Sequence, residues 1–481
     1  MVHILKPEKS SFFDNLVKIA RYILYIVVIV LTIAASLQYR GYLSIYILFT
    51  VISNSLLFFS FRKNAIFFDT FIGIFFWLGF WLKLTIRVAF TDGLFHEAIG
   101  DFDGSGSAFD RSLLISSCGF LGLLISSFLR EKYFFNYPDR PNEITQKGLF
   151  AFYQAHRTLV LSIFLAFIVA VGASNMYLGI YQKGAITETT LPFGLNGIYK
   201  WLLMFGLASF SALIVRFELV ASKRPPYTVA IISLAEAFIS SVSLLSRGMV
   251  LNSAALFYGL LHGVKYVPKK SNIKFFITFF LAFVLLFGTS VVVVNKLRIG
   301  KGLFPDEIDR TRYNDLQVSM ATPLFVDRWV GIEGVMAVSS SPKVGWSLWS
   351  EALKERYSEN ATSFYDDNLI KSPYIDTDKT KHHYISLPGM IAFFFYPGSY
   401  MFLFVCTLMM GGIAAFLEFC TFHLGGSNQI LCSLFAQVIA YRFSCFGYVP
   451  SQSYLLFGTL FLNLILIYLI DKFMRKCLKI S

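Results

Sequence analysis

The stretch FFITFFLAFVLLFGTSVVVVN, residues 275–295, decides the fold class of this chain. It contains 21 residues and no charged side chain. About 20 apolar residues in a helix are needed to cross the hydrocarbon core of a bilayer. Because no water satisfies the backbone there, such a segment crosses the membrane as an α-helix. The stretch therefore predicts a transmembrane helix.

Composition extends this prediction to the whole chain. Hydrophobic residues make up 56% of the 481 residues and charged residues make up 15%, whereas a typical soluble domain has about 25% charged residues. The predicted fold class is an all-α, polytopic transmembrane helical bundle of about twelve spans, with a large, partly helical extracytoplasmic loop. The predicted spans are residues 19–37, 42–61, 66–88, 112–129, 158–180, 197–215, 228–245, 249–264, 275–295, 399–421, 427–446 and 453–471.

The distribution of Lys and Arg predicts the orientation of the bundle. Short loops on the side of the two termini hold roughly 22 of these residues and the opposite short loops about five, which places both termini in the cytoplasm. The formal net charge of +13 is attributed to these cytoplasmic loops. Nucleic acid is therefore not an expected partner, and the lipid bilayer is.

Hydropathy divides the chain into three parts. Residues 1–295 form an N-terminal bundle of about nine spans. Residues 296–384 form a large outer loop with short helices, which contains no Cys, so no disulfide framework is expected there. Residues 385–481 begin with an apolar segment that is too short to span, and C-terminal transmembrane helices follow it. That segment is predicted to be re-entrant or interfacial.

Five arginines on the predicted outer side are candidate ligands for an anion. Arg247 lies in the tight turn LLSRGMVL, and Arg298 and Arg310 open the large loop. Arg328 lies in VDRWVGIEG and Arg442 ends a span. Arginine stays charged and binds phosphate oxygens with two parallel N–H groups. The alternative for each of them is an ordinary ion pair at the surface.

Other titratable residues lie near these arginines. His382 and His383 immediately precede the short apolar segment. An imidazole titrates near neutral pH and can accept a proton from a sugar hydroxyl, although a structural role for the pair is the alternative. Lys83 and Arg87 are four residues apart near the outer end of a span, so they share a helix face. They are expected to extend the positive region.

Three segments and the general layout resemble a known family. The segments are LLSRG (244–248), FVDRWVGIEGVMAVSSS (325–341) and HHYISLPGMIAFFFYPGS (382–399). Together with about twelve spans and a large outer loop late in the chain, they resemble a bacterial Wzy-type oligosaccharide repeat-unit polymerase of O-antigen and related polysaccharides. The layout covers the whole chain and the motifs cover a minority of it.

The resemblance implies a metal-independent glycosyltransferase of the bacterial inner membrane that uses no cofactor. Donor and acceptor are undecaprenyl-diphosphate-linked oligosaccharides. The growing glycan is transferred on the periplasmic side to the non-reducing end of a new lipid-linked unit, and undecaprenyl diphosphate leaves. A chain-length regulator protein is a candidate partner.

This chemistry assigns a role to each candidate residue. Fixed guanidinium groups can stabilise the charge that develops on the leaving diphosphate without a metal. The candidate catalytic residues are Arg247, Arg328, Glu333, His382 and His383. The candidate diphosphate ligands are Arg298, Arg310 and Arg442, and the candidate sugar-binding residues are Trp329 and Tyr384.

The sequence leaves three alternatives open. A ligase that moves finished glycan to the lipid A core would share this architecture. A flippase or transporter of lipid-linked oligosaccharides would more often carry charges at the bilayer midplane. A purely structural membrane subunit would not explain the arginines of the large loop.

Overall fold

The computed structural model describes residues 11–95, 97–138, 148–221, 227–263, 272–301, 326–376 and 378–477. All regular secondary structure elements of the described residues are helices, and an isolated β-bridge joins Ala185 to His382. The helices are α1 (Ser11–Gln38), α2 (Leu43–Phe59), α3 (Phe67–Phe90), α4 (Gly106–Tyr133), α5 (Leu149–Ala155), α6 (Arg157–Leu178), α7 (Pro192–Ala221), α8 (Tyr227–Ser243), α9 (Val250–Gly263), α10 (Asn272–Gly300), α11 (Ile332–Ser340), α12 (Trp346–Leu353), α13 (Met390–Phe394), α14 (Tyr400–Leu424), α15 (Gln429–Ser444) and α16 (Tyr454–Cys477).

The predicted all-α membrane class is confirmed. Within the described residues, eight helices are long and apolar enough to cross a membrane: α1, α3, α4, α6, α7, α10, α14 and α16. A helix also lies at each of the other predicted spans, but α2, α8, α9 and α15 are shorter. Few residues of α1 and α10 are buried inside the bundle, whereas α3 is mostly buried. This pattern fits a bundle whose outer helices contact lipid tails.

Small residues let the central helices approach one another closely. An ideal Cβ placed on Gly122 of α4 would lie 2.1 Å from Oγ1 of Thr407 in α14, and one on Gly411 would lie 2.5 Å from Oγ of Ser126. Without a hydrophobic driving force between helices in lipid, such close backbone approach supplies much of the packing energy. Aromatic rings fill the neighbouring layers around the buried Phe120.

The long segment between α10 and α14 packs against one end of the bundle, which we call the loop end. Lys83 Nζ of α3 lies 2.7 Å from Oε1 of Glu333, and Arg87 is paired with Asp327. Lys83 and Arg87 were expected to extend a positive region. Instead both are neutralised, and they fasten the segment to α3.

The large loop starts later than predicted, and the short apolar segment that follows the loop contains a helix. Helix α10 continues to Gly300, so Arg298 lies on its last turn and not in a loop that begins at residue 296. The short apolar segment contains the buried helix α13. Non-helical backbone beside it is tolerated because protein surrounds it.

The approach of α11 to the segment before α13 gives a first prediction. A Cβ on Gly334 would lie 1.9 Å from the carbonyl oxygen of Pro388. We expect Gly334→Ala to destabilise the protein by about 1–3 kcal/mol, because backbone atoms must shift. Thermal unfolding in detergent, followed by intrinsic fluorescence, measures this effect. Gly412→Ala is the matched control, since nothing lies within 4 Å of its added Cβ; equal midpoints for both variants would contradict the prediction.

Candidate functional site

Arg298 joins three elements at the loop end. Its Nε donates to the carbonyl of Leu245 at 3.1 Å, and its Nη2 donates to the carbonyl of Lys183 at 3.0 Å. These bonds tie the last turn of α10 to the turn between α8 and α9 and to the connection between α6 and α7. The side chain is half-buried. Arg298 therefore has a fixed position from which it can also meet an anion.

Arg247 lies on the neighbouring turn. It begins a short 3-10 helix, Arg247–Met249, in which Oγ of Ser246 accepts a hydrogen bond from the amide of Gly248 at 3.3 Å. Leu245 takes a left-handed conformation with φ of 51°, and this makes the reversal between α8 and α9 tight. Partial burial, with Arg328 and then Arg298 nearby, lowers the pKa of Arg247 to about 10.

Arg328 and Lys183 complete the group. Nη2 of Arg328 lies 3.6 Å from an ideal Cβ on Gly248, so the guanidinium lies over the turn that holds Arg247. The amide of Lys183 donates to the carbonyl of Leu244 at 2.9 Å. Burial, followed by the charge of Arg328, lowers the pKa of Lys183 to about 8. We call Lys183, Arg247, Arg298 and Arg328 the basic cluster.

Carboxylates of the described residues do not neutralise the positive charges of Lys183, Arg247 and Arg328. Among the residues that the structure describes, no Asp or Glu forms an ion pair with Lys183, Arg247 or Arg328, and their side-chain nitrogens have no hydrogen-bond acceptor. Like charges held together in a half-buried place disfavour the charged forms. A bound anion would relieve this repulsion. Within the described residues, Arg247 and Arg328 therefore form none of the surface ion pairs of the alternative.

A cavity at the opposite end of the bundle provides a contrast. It contains Arg62 and Asp69. Nε of Arg62 lies 2.6 Å from Glu131, and Asp69 lies 2.8 Å from Nη2 of Arg130. The charges that line this cavity are therefore already compensated, unlike those of the basic cluster.

Arg442 and Lys200 lie next to the basic cluster. Nζ of Lys200 is 4.9 Å from the ring centroid of Tyr181. Burial raises the pKa of Tyr181 to about 12, with the charge of Arg442 acting in the opposite direction. Burial also raises the pKa of the Cys445 thiol, against the effects of Arg442 and Lys183. Cys445 is thus close enough to both Arg442 and Lys183 for their charges to act on its thiol.

His383 lies among aromatic side chains beside these cations. Its Nδ1 is 3.0 Å from the carbonyl oxygen of Glu359, and its Nε2 is 3.4 Å from the hydroxyl of Tyr448. Donation from Nδ1–H to that carbonyl would leave Nε2 as the acceptor nitrogen. The backbone of His383 donates to the carbonyl of Gly184, next to Lys183, at 3.3 Å. The backbone of His383 is thereby bonded to the connection between α6 and α7, which carries Lys183 of the basic cluster.

Glu359 fixes this region. Burial acts to raise its pKa, but hydrogen bonds from the hydroxyl and amide of Thr187 outweigh that effect, so the pKa of Glu359 is lowered. The hydroxyl of Tyr357 also donates to this carboxylate at 3.2 Å. An ionised Glu359 therefore holds Tyr357 and the connection between α6 and α7 around His383.

His382 and Tyr384 form a stacked pair close to Arg298. Their rings stack with centroids 5.2 Å apart. An ideal Cβ on Gly184 would lie 3.3 Å both from the Tyr384 ring and from Nη2 of Arg298. Tyr384 is therefore adjacent to Arg298, as a sugar-stacking residue next to a diphosphate would need to be.

Two other predicted residues, Glu333 and Trp329, have packing partners of their own. Burial raises the pKa of Glu333 despite its ion pair with Lys83, and the charge of Glu97 acts in the same direction as burial. The Trp329 ring stacks on Phe75 with a centroid separation of 5.6 Å. The carboxylate of Glu333 is thus paired with Lys83, and one face of Trp329 is used for packing. Arg310 lies outside the described residues.

Sequence reasoning missed Lys183 and Lys200 as site residues. Both were visible as cations on the predicted outer side or near it, but neither lies in a tight turn or in the large loop. The signal that could have found them is their position at the two ends of one connection, between α6 and the body of α7. Within the described residues no group of three or more His, Cys, Asp or Glu could hold a metal ion.

Comparison with known proteins adds no relative. No family model, no curated protein and no solved structure matches this chain.

Proposed function

We propose that this protein is a membrane glycosyltransferase that polymerises undecaprenyl-diphosphate-linked oligosaccharide repeat units on the periplasmic side of the bacterial inner membrane. The growing glycan is transferred from its lipid carrier to the non-reducing end of a new lipid-linked unit. The proposal places the loop end of the bundle outside the cytoplasm.

One observation carries this proposal. Cations from four separate stretches of chain converge at the loop end, and three of them have no carboxylate partner among the described residues. A diphosphate diester carries two negative charges and several acceptor oxygens, which suits forked guanidinium donors.

The apolar surface of α10 is consistent with a substrate that is attached to a lipid. Apolar side chains of α10 such as Phe280 and Leu285 are exposed along the helix whose last turn carries Arg298. A polyprenyl tail lying along α10 within the bilayer would bring its diphosphate to the basic cluster. The lipid tail and the charged headgroup would thus each meet a surface of matching chemistry.

The proposed reaction needs charge stabilisation and one proton acceptor. The bond between C1 of the donor sugar and the diphosphate oxygen breaks, and the electron pair leaves with undecaprenyl diphosphate. Arg247, Arg298 and Arg328 stabilise this negative charge. An acceptor hydroxyl forms the new bond to C1 and releases its proton to Nε2 of His383. Tyr384, beside Arg298, lies where it can stack on a sugar ring.

Two rival functions share parts of this site. A ligase would use the same lipid-diphosphate donor but a lipid A core acceptor. A transporter is favoured by Glu236, a buried carboxyl in α8 whose Oε2 has no partner among the described residues. We prefer the transferase because the charges concentrate at the loop end, whereas a transporter usually binds its substrate near the midplane.

The proposed function predicts a glycan ladder from purified components. Unpolymerised lipid-linked repeat units would be extracted from cells that lack this protein and incubated with the protein in nanodiscs, with a metal chelator present. We expect a ladder on a gel, because each transfer lengthens the glycan by one unit. A single product formed only with lipid A core would instead identify a ligase. If lipid-linked units only change leaflet in proteoliposomes and no transfer occurs, the transferase proposal is wrong.

A further inference from the structure

The hydroxyl of Tyr448 faces the nitrogen that the proposed reaction uses as its proton acceptor. Nδ1 of His383 is 3.0 Å from the carbonyl oxygen of Glu359. Because a carbonyl oxygen only accepts hydrogen bonds, Nδ1 carries the ring proton and Nε2 has the lone pair. The Tyr448 hydroxyl, 3.4 Å from Nε2, is then the donor to that lone pair. Catalytic hydrogen bonds are often this long before substrate binds and shorten in the substrate complex.

Tyr448 and His383 belong to an aromatic group that is open to the surface. The ring centroid of Tyr357 lies 5.7 Å from that of His383 and 6.3 Å from that of Tyr448. Tyr357 is 43% exposed, and the other two side chains are half-buried. Aromatic faces suit the C–H groups of a sugar ring, so an acceptor sugar has access to the Tyr448 hydroxyl.

Tyr448 lies in a strained turn between α15 and α16. The next residue, Val449, has a left-handed φ of 45°, which is an outlier for a β-branched side chain and is unusual before a proline, here Pro450. On the other side, Gly447 has a φ of 120°, and an added Cβ there would lie 2.4 Å from Cγ of Pro388. Such strain persists only where surrounding contacts enforce it, and it is concentrated at functional sites.

Glu355 holds this turn from the segment that follows α12. Its Oε2 accepts a hydrogen bond from the amide of Val449 at 2.7 Å, and its Oε1 accepts one from the amide of Phe364 at 2.6 Å. The side chain is half-buried, and Val449 is buried. Both carboxylate oxygens of Glu355 therefore hold backbone, and one of them fixes the residue next to Tyr448.

We infer that Tyr448 is a further catalytic residue, which relays the proton of the acceptor hydroxyl to His383, and that Glu355 is a positioning residue for Tyr448. The acceptor oxygen forms its bond to C1 of the donor sugar and gives its proton to the oxygen of Tyr448. Tyr448 gives its own proton to Nε2, so it ends neutral, and His383 becomes an imidazolium that later releases the proton to water. The electron pair of the broken C1–O bond leaves with undecaprenyl diphosphate. This inference rests on the proposed function and adds the route of the proton.

Tyr448→Phe tests the relay, because it keeps the ring and removes only the hydroxyl. In nanodiscs with lipid-linked repeat units, we expect kcat for ladder formation to fall about 100-fold, a size typical of acid–base catalysis. KM should change by less than about twofold, since an interaction made only in the transition state does not contribute to substrate binding. Tyr454→Phe should keep the wild-type rate and is the matched control, because Tyr454 is an exposed tyrosine at the start of α16.

Single-turnover rates in mixtures of H2O and D2O show whether two protons move in the same step. For the wild-type protein, the rate should fall along a curve as the deuterium fraction rises, because both relayed protons contribute. Tyr448→Phe should give a straight line, since the acceptor hydroxyl must then reach Nε2 directly and one proton moves. A straight line for the wild-type protein, or a curve that persists in the variant, would overturn the relay.

Glu355→Gln tests the positioning role, because a side-chain amide offers one accepting oxygen where the carboxylate offers two. We expect kcat to fall by about 10- to 100-fold, as a small displacement of a catalytic group costs this much. Adding Tyr448→Phe should cause little further loss, since the two residues act on one step. Glu351→Gln, at an exposed position in α12, should keep the wild-type rate. Losses that multiply in the double variant would overturn the role of Glu355.

The ladder assay separates failure of this inference from failure of the proposed function. A wild-type rate for Tyr448→Phe, at the wild-type protein level and thermal midpoint, would overturn the relay and leave the proposed function standing. Absence of any ladder from the wild-type protein would overturn the proposed function, and the inference with it.

Discussion

Arg247→Ala is expected to reduce the rate of ladder formation by at least about 100-fold while leaving folded protein in the membrane. Removing one preorganised donor from a site of developing negative charge typically costs about 100- to 1,000-fold in rate. Arg247 has no hydrogen-bond or ion-pair partner among the described residues, so its loss leaves no buried group unpaired. The rate of appearance of products longer than one repeat unit measures the effect, with membrane levels checked by immunoblotting.

Two further variants make this prediction specific. Arg247→Lys keeps the charge but loses the forked geometry, so an intermediate rate is expected. Arg111→Ala is the matched control, since Arg111 is an exposed arginine at the start of α4, at the loop end but outside the basic cluster. Normal ladders from Arg247→Ala at wild-type protein levels would contradict the proposed role of the basic cluster.

Lys83→Met is expected to destabilise the protein by about 3–5 kcal/mol, because it leaves the buried carboxylate of Glu333 without its partner. Only 1% of the Lys83 side chain and 7% of the Glu333 side chain are exposed. Nζ of Lys83 also donates to the carbonyls of Asp327 and Trp329, at 2.9 Å and 2.5 Å. Chemical unfolding in detergent micelles, followed by tryptophan fluorescence, measures the loss.

A double variant distinguishes the lost ion pair from a general packing defect. Lys83→Met combined with Glu333→Leu should recover most of the stability, since replacing both members of a buried pair by apolar residues is often neutral. Lys381→Met breaks the exposed contact with Asp378 and should cost less than about 1 kcal/mol. If the double variant is no more stable than Lys83→Met, the explanation by an unpaired charge is wrong.

The ion pair between Lys83 and Glu333 also affects the candidate functional site. Arg328 lies between Asp327 and Trp329, the two residues whose carbonyls Lys83 holds. Without the hydrogen bonds from Lys83 to these two carbonyls, the guanidinium of Arg328 should move away from the turn at Gly248. Lys83→Met is therefore expected to impair binding of P1,P2-dimethyl diphosphate, a soluble analogue of the lipid diphosphate, even at temperatures where the protein stays folded. The double variant should restore less binding than stability.

Parts of the candidate site could be predicted from the sequence, and parts could not. Arg247, Arg298 and Arg328 were selected because arginines at helix ends and in tight turns of a membrane protein need an explanation. The structure brings them together. Lys183 and Glu359 gave no such signal, because a lysine or glutamate in a polar connection is usually solvated. Glu333 was selected as a catalytic candidate, but its buried partner Lys83 lies 250 residues earlier in the chain.

The sequence by itself determined that this chain is a bundle of membrane-length helices. That property is local: a run such as residues 275–295 is apolar over the thickness of a bilayer whatever surrounds it, and its backbone must form a helix in lipid. Only the tertiary structure decided which cations pair with carboxylates among the described residues. Lys83 and Arg87 are as basic as Arg247 and Arg328, yet the first two meet carboxylates and the other two meet one another. Whether a charge is neutralised depends on distances of a few ångströms between distant segments, and helix packing sets those distances.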